Sequence, residues 1–272
     1  VEPVRIYDPL REVFSLPKPA SVLKQGDLFT REEVDSAALL RMGKIHEVAP
    51  ESEIGMCNLA AVNVAVIEND EQYEDVMYHA LSMIDECIHI SDYPFRHQRY
   101  TATSRINAGV GMMGLATLMA QKGLKYSSPE GKAFIHEVAE RHTYFAIKAS
   151  LRLGREKGNA PWIHRTRWPE GWMPMDDASP MVEALGSFEN KYDWDQLRKD
   201  VIANGGIRNS CVVNYMPGES SSKALGAANS IYPVRELIMM KTDNDQTVDW
   251  AAVDGDIYAD QYELAWDIDP SD

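Results

Sequence analysis

The chain is 272 residues long, with 44% hydrophobic and 25% charged residues, an ordinary composition for a globular protein of one large or two small domains. Its formal net charge of -15 argues against a nucleic-acid surface, which needs clustered Lys and Arg. A small anion held locally in a cleft stays compatible with that charge, because binding follows the local field.

Residues 1–29 are rich in proline and lack periodicity, and residues 1–45 together read as an extended arm or linker. Within them Thr30-Arg31-Glu32-Glu33 is a capping-box start for a short helix that stops near Gly43. From Ile54 a nearly all-apolar run to Ile67 predicts a strand buried on both faces, in which Asn58 and Asn63 need internal partners. Asp70 caps a helix over 70–90, with Val76, Leu81, Ile84 and Ile88 at helical spacing, and Ser91-Asp92-Tyr93-Pro94 ends it. A Gly- and Met-rich helix is expected over 109–122, its glycines explained by close backbone packing. Ser128-Pro129-Glu130 opens the longest helix, running to about Gly158.

Residues 159–192 read as loop, with Trp162, Trp168 and Trp172 as anchors. Asp193 caps a helix that ends at Gly205-Gly206, and 207–215 reads as a strand. After the turn at Pro217-Gly218, another strand is expected over 234–241 and a last short helix over 258–266. This order implies an α/β architecture with helix in excess, as one domain over 46–272.

The three cysteines, Cys57, Cys87 and Cys211, form no CxxC pair, which argues against a disulfide framework or a zinc site and for a reduced, cytoplasmic setting. No apolar run approaches the roughly 20 residues of a membrane span. Val1-Glu2-Pro3-Val4 has neither the pattern of a signal peptide nor an initiator Met, so the chain is expected to be a piece of something longer.

Cys57 suits either a small core position or a reactive thiol, whereas Cys87, on an apolar helix face, and Cys211, in a strand, fit the core. His136 and His142 lie six apart, about 240° around a helix, so they do not form a zinc pair, and Glu137-Arg141 reads as a surface ion pair. Gly109-Val110-Gly111-Met112-Met113-Gly114 lacks the flanking strand and downstream acid of a dinucleotide site. Met216-Pro217-Gly218-Glu219-Ser220-Ser221-Ser222 has two readings. It is an ordinary capped helix start, or a turn whose free N–H groups and helix dipole cradle a phosphate without a lysine.

Several stretches, in order, resemble the large, catalytic subunit of class I ribonucleotide reductase. They are Glu53-Ile54-Gly55-Met56-Cys57-Asn58-Leu59, Asp92-Tyr93-Pro94, residues 105–115 and Gly123-Leu124-Lys125-Tyr126-Ser127. Tyr192-Asp193-Trp194-Asp195-Gln196-Leu197-Arg198, Gly206-Ile207-Arg208-Asn209-Ser210 and the 216–222 turn complete the set. The resemblance implies that Cys57 is one of the two thiols that reduce the ribose 2′ position and emerge as a disulfide. It implies that Pro217, Gly218, Glu219, Ser220 and Ser221 bind the substrate's phosphates, with Gly218 where the family has Ser. Cys87 and Cys211 match no redox cysteine of the family, and Glu-Ser-Ser-Ser is similar to the class I form of the turn.

The implied fold is the helix-rich second half of a ten-stranded α/β barrel, from a split or interrupted ribonucleoside-diphosphate reductase. The family's Asn-x-Cys-x-Glu radical loop, partner thiol, relay tyrosines and C-terminal cysteine pair have no match here and are expected on other pieces. The implied partners are a ribonucleoside diphosphate, an N-terminal fragment with the radical cysteine, and a small subunit bearing a metal or tyrosyl-type radical. No metal or other cofactor is expected on this chain, and neither a nucleic-acid polymer nor a membrane is an expected partner. A non-catalytic remnant and a cobalamin-dependent reductase are the alternatives.

Overall fold

The computed structural model describes residues 5–6, 14–15, 53–56, 58–180, 189–243 and 246–269. In the predicted arm, β1 (Arg5–Ile6) pairs antiparallel with β2 (Phe14–Ser15), and the helix expected near Thr30 lies outside the described residues.

The centre of the fold is a short parallel sheet. β3 (Leu59–Asn63) pairs with β4 (Gly109–Met113), from Leu59 opposite Gly109 to Asn63 opposite Met113. On its other side β4 meets residues 211–214: Val110 N–H donates to the Val212 carbonyl at 3.0 Å, and Asn214 N–H to the Val110 carbonyl at 3.3 Å. With a neighbour on each edge and packing on both faces, every residue of β4 is buried.

This corrects the helix expected over 109–122, whose first five positions are strand. A strand buried on both faces has no polar alternation to reveal it. Its glycines serve strand packing: a Cβ at Gly109 would lie 2.8 Å from Leu59 Cδ2, and one at Gly111 2.6 Å from the Asn214 carbonyl oxygen. Gly114, at φ 81°, then turns the chain into a helix.

The run over 54–67 is a shorter strand than expected and is not buried on both faces. In β3 only Val62 is buried, and Leu59 is 44% exposed. One face packs on the helices while the other is open. The two asparagines do find partners: Asn58 Nδ2 donates to the Asn107 carbonyl, and Asn63 Oδ1 accepts from Ala65 N–H.

Helices cover the packed face. α1 (Asp70–Ile90) is capped by the Asn69 side chain, one residue before the expected Asp70, and buries Tyr73, Met77, Leu81, Ile84 and Ile88. Cys87 falls off that stripe, about 100° around from Ile88, and is exposed rather than in the core. α2 (Arg96–Arg105) was not legible, because its buried face is polar: His97, Thr101 and Ser104. α3 (Leu115–Lys122) follows β4. α4 (Pro129–Lys157) starts at Ser128 as predicted and packs along α1. α5 (Trp194–Ala203) is capped by Asp193. Glu137 pairs with Lys191 and Arg141 with Asp70, at 2.7 Å for the latter, so the expected Glu137-Arg141 pair does not form.

Residues 207–215 are extended, with a single bridge, Val213 to Val110, in place of the predicted strand. Cys211 sits on the open side of that segment and is exposed, contrary to its core reading. α6 (Glu219–Ala224) follows the turn. The strand expected over 234–241 starts at Ile238, where β5 (Ile238–Asp243) and β6 (Gln246–Ala251) form a hairpin. α7 (Gly255–Tyr258) ends where the last predicted helix was to begin. Among the described residues the strands form two-stranded sheets and do not close into a barrel, and no helix is long and apolar enough to cross a membrane.

Candidate functional site

The parallel sheet points its carboxyl ends at the 216–222 turn, the end where open α/β sheets hold ligands. Gly218 is buried against the end of β4; a Cβ there would lie 2.5 Å from Met113 Sδ. Pro217, Glu219, Ser220 and Ser221 are exposed, and Ser222 is buried. Glu219 adopts φ 42°, a conformation uncommon for a side-chain-bearing residue, which bends the chain sharply into α6.

Both leading N–H groups of the turn are occupied from within. Gly218 N–H and Glu219 N–H donate to Asn229 Oδ1, at 2.5 and 3.2 Å. Ser221 N–H donates to the Gly218 carbonyl at 2.9 Å, which also accepts from the Ser221 hydroxyl. The Ser222 hydroxyl donates to the Glu219 carbonyl at 2.7 Å. Asn229 reaches the turn because its loop is pinned on both sides. Ala227 N–H donates to the Ser222 carbonyl, and Gly114 N–H to the Ala228 carbonyl at 2.8 Å. Asn229 is the residue that sequence reading missed; an asparagine eleven positions downstream carries no local signal of this contact.

Cys57 lies outside the described residues, but its flanks are anchored at the opposite end of the sheet. Asn58 accepts from Gly109 N–H at 2.8 Å. Ile54 N–H donates to Thr101 Oγ1 at 3.1 Å. Glu53 receives a two-pronged ion pair from Arg105, and Arg165 lies 3.6 Å away. The hydrogen bond from Arg105 holds the Glu53 carboxyl below its ordinary value, against the opposing effect of burial. Cys87 lies on α1 and Cys211 on the outer segment, and both are exposed free thiols.

Beneath β4 lies a fully buried histidine. His142 Nε2 is 2.9 Å from the Val110 carbonyl, and Tyr73 OH is 2.8 Å from His142 Nδ1. A carbonyl only accepts, so the network assigns the proton to Nε2 and has Tyr73 donate to Nδ1. Burial lowers the His142 pKa to about 4, which keeps the ring neutral. Among the described residues no three His, Cys, Asp or Glu side chains stand together as metal ligands.

Comparison with known proteins decides the lineage. The ribonucleotide reductase barrel domain family matches residues 33–260. The chain belongs to that family. Among curated proteins it is 31% identical over 220 residues to ribonucleoside-diphosphate reductase subunit alpha of Haemophilus influenzae, covering 81% of this chain and 29% of that protein. It is 30% identical to the corresponding subunit of Helicobacter pylori, over 74% of this chain and 26% of the relative. It is also 30% identical to ribonucleoside-diphosphate reductase 1 subunit alpha of Escherichia coli, over 66% and 24%. The chain thus spans under a third of the length of these relatives.

Several stretches that carry the reductase resemblance do structural work. In Gly206-Ile207-Arg208-Asn209-Ser210, Arg208 Nε bonds buried Asp85 at 2.8 Å, and its Nη1 bonds the Gly158 carbonyl at 2.9 Å. Asn209 Nδ2 holds the Ile106 carbonyl, where the chain takes φ 48° after α2. Lys125 caps the carbonyls of Asp260, Gln261 and Tyr262. The reductase barrel domain therefore uses these motifs to fix the sheet whose two ends carry the turn and the Cys57 segment.

Proposed function

We propose that this chain is part of the catalytic subunit of a ribonucleoside-diphosphate reductase and contributes one redox thiol and the phosphate turn. The single observation that carries the reading is the family match over residues 33–260. The names of the relatives supply the reaction class, reduction of a ribonucleoside diphosphate, and the resemblance supplies the product, a deoxyribonucleoside diphosphate.

Two thiols give up two electrons and two protons; the 2′ hydroxyl leaves as water, and the thiols end as a disulfide. Cys57 is one of those thiols. Its partner and the radical cysteine belong to the remainder of the subunit, which completes the ten-stranded barrel. A metal or tyrosyl-type radical on a small subunit supplies the initiating oxidising equivalent. In this chain exposed Ser220 is placed at the diphosphate; the Ser221 hydroxyl, which donates to the Gly218 carbonyl, reaches it on reorienting, and Asn229 holds Gly218 and Glu219 so that the turn keeps its shape. A binding site built of hydroxyl donors on a turn braced from behind by Asn229 suits an acidic protein, since it needs no basic patch.

The test is turnover of the reconstituted complex: this chain, the complementary part of the subunit and the radical-generating subunit. Cys57→Ser is expected to abolish multiple turnovers while nucleotide binding persists, whereas Cys87→Ser and Cys211→Ser keep activity. Full turnover by Cys57→Ser with a dithiol reductant would remove the assignment.

A further inference from the structure

Between the Asn58 anchor at one end of the parallel sheet and the 216–222 turn at the other lies the sheet's open face. Side chains alternate along a strand, so Leu59 and Ala61 share that face while buried Val62 points to the helices. Gly109 and Gly111 of β4 stand opposite Leu59 and Ala61 and put no side chain on it. Asn214 uses the space they leave. A Cβ at Gly109 would lie 2.8 Å from Asn214 Cβ and 3.6 Å from its Nδ2, so the side chain lies over β4 on the same face as Leu59.

Asn214 is exposed, and its carboxamide makes no hydrogen bond among the described residues. Its backbone is fixed all the same, because Asn214 N–H donates to the Val110 carbonyl at 3.3 Å. The result is a positioned and unengaged amide, with one acceptor oxygen and two N–H donors. Its neighbours on the face are apolar: Leu59, Ala61 and Met216, whose sulfur lies 2.7 Å from where a Gly111 Cβ would stand.

A neutral amide among apolar side chains offers an ion no countercharge. It suits the uncharged part of a ligand whose charged part is held nearby, and the turn is nearby. Asn214 is level with Val110, and Gly218 packs on Met113 three residues further along β4, roughly 10 Å away. That separation is the reach of a nucleoside from its own diphosphate.

We infer that the Asn214 carboxamide positions the nucleoside half of the substrate, bonding a sugar hydroxyl or the edge of the base while the turn holds the phosphates. The inference rests on the proposed reading of the turn as the diphosphate site. Asn214 takes neither electron nor proton; it acts by fixing the nucleoside over the sheet.

Titration calorimetry on the reconstituted complex separates the two halves. Pyrophosphate probes the turn alone, and cytidine diphosphate probes the turn and the face together. Asn214→Ala keeps the Cβ over Gly109 and the backbone bond to Val110, so the sheet is expected to stay intact. It is expected to weaken cytidine diphosphate binding roughly three- to tenfold and to leave pyrophosphate affinity unchanged. Asn214→Asp has the same shape but replaces the two N–H donors with a negative charge. It is expected to weaken cytidine diphosphate further, with the excess shrinking as salt is raised.

Equal cytidine diphosphate affinity in the unmodified complex and in Asn214→Ala overturns the inference. An equal loss for both ligands also overturns it, since Asn214 would then only support the turn. Failure of pyrophosphate to bind the unmodified complex, with the cytidine diphosphate loss retained, would reject the phosphate turn and keep the nucleoside contact. Failure of cytidine diphosphate to bind the unmodified complex overturns both.

Discussion

At the scale of single residues, the turn depends on contacts made from behind it. Asn229→Ala leaves Gly218 N–H and Glu219 N–H without their acceptor. The expected cost is about 1–3 kcal/mol, read as weaker nucleoside diphosphate binding by titration calorimetry. Ser221→Ala removes the hydroxyl that donates to the Gly218 carbonyl and is expected to cost about 1 kcal/mol. Gly218→Val is expected to be worse, and the reason is internal: its side chain would meet Met113 and not the ligand. Overpacking of this kind costs about 1–3 kcal/mol, and adding Met113→Ala should restore part of the loss. Equal affinity in all three single variants would place the phosphates elsewhere. The turn itself was legible, because Pro-Gly followed by small polar residues is a local signal. Asn229 was not, because the fold alone brings it there.

At the scale of elements, the long helices were legible and the central strand was not. α1, α4 and α5 each carry a periodic apolar stripe and a side-chain cap, both local features. β4 is buried on every side, so its letters alternate in nothing, and its glycines mimic helix packing. α2 hides a polar buried face. The exposure of Cys87 and Cys211 depends on where stripes and sheet edges fall in three dimensions.

His142 ties α4 to β4, and its pH dependence tests that link. Its folded pKa of about 4 lies below the ordinary 6.5, so the unfolded chain binds the proton more readily between those values. The stabilising contribution is complete above about pH 6.5 and is lost as pH falls toward 4, on the order of 3 kcal/mol in all. Urea unfolding from pH 7 to 4 is expected to show this slope, and His142→Gln to flatten it. An unchanged slope in the variant would mean that other groups carry the dependence. Asp85 acts in the same direction at lower pH. Burial alone would raise its pKa, but hydrogen bonds from Arg208 and Lys157 outweigh that and hold it low. Its contribution is therefore present above the ordinary carboxylate range and is lost on further acidification.

At the scale of the whole molecule, the described residues combine a fixed parallel sheet with open surfaces around it. Beyond the edge at Val213, Met240 is 78% exposed on the β5–β6 hairpin, and Trp266 is 76% exposed. The isolated chain is expected to self-associate on size-exclusion chromatography and to exchange quickly the amide hydrogen of Val213, whose N–H faces away from β4. A sharp monomer with full protection there would favour an independent domain. The family was legible from short stretches in order, several of which hold the scaffold together.

The central claim is that this chain donates a reducing thiol to ribonucleotide reduction, and single turnover tests it most directly. The reconstituted, prereduced complex is given ribonucleoside diphosphate without external reductant, quenched with an alkylating agent, and digested without reduction. The account predicts deoxyribonucleoside diphosphate together with Cys57 recovered in a disulfide, and Cys87 and Cys211 alkylated. Product formed while Cys57 is recovered fully alkylated would contradict it.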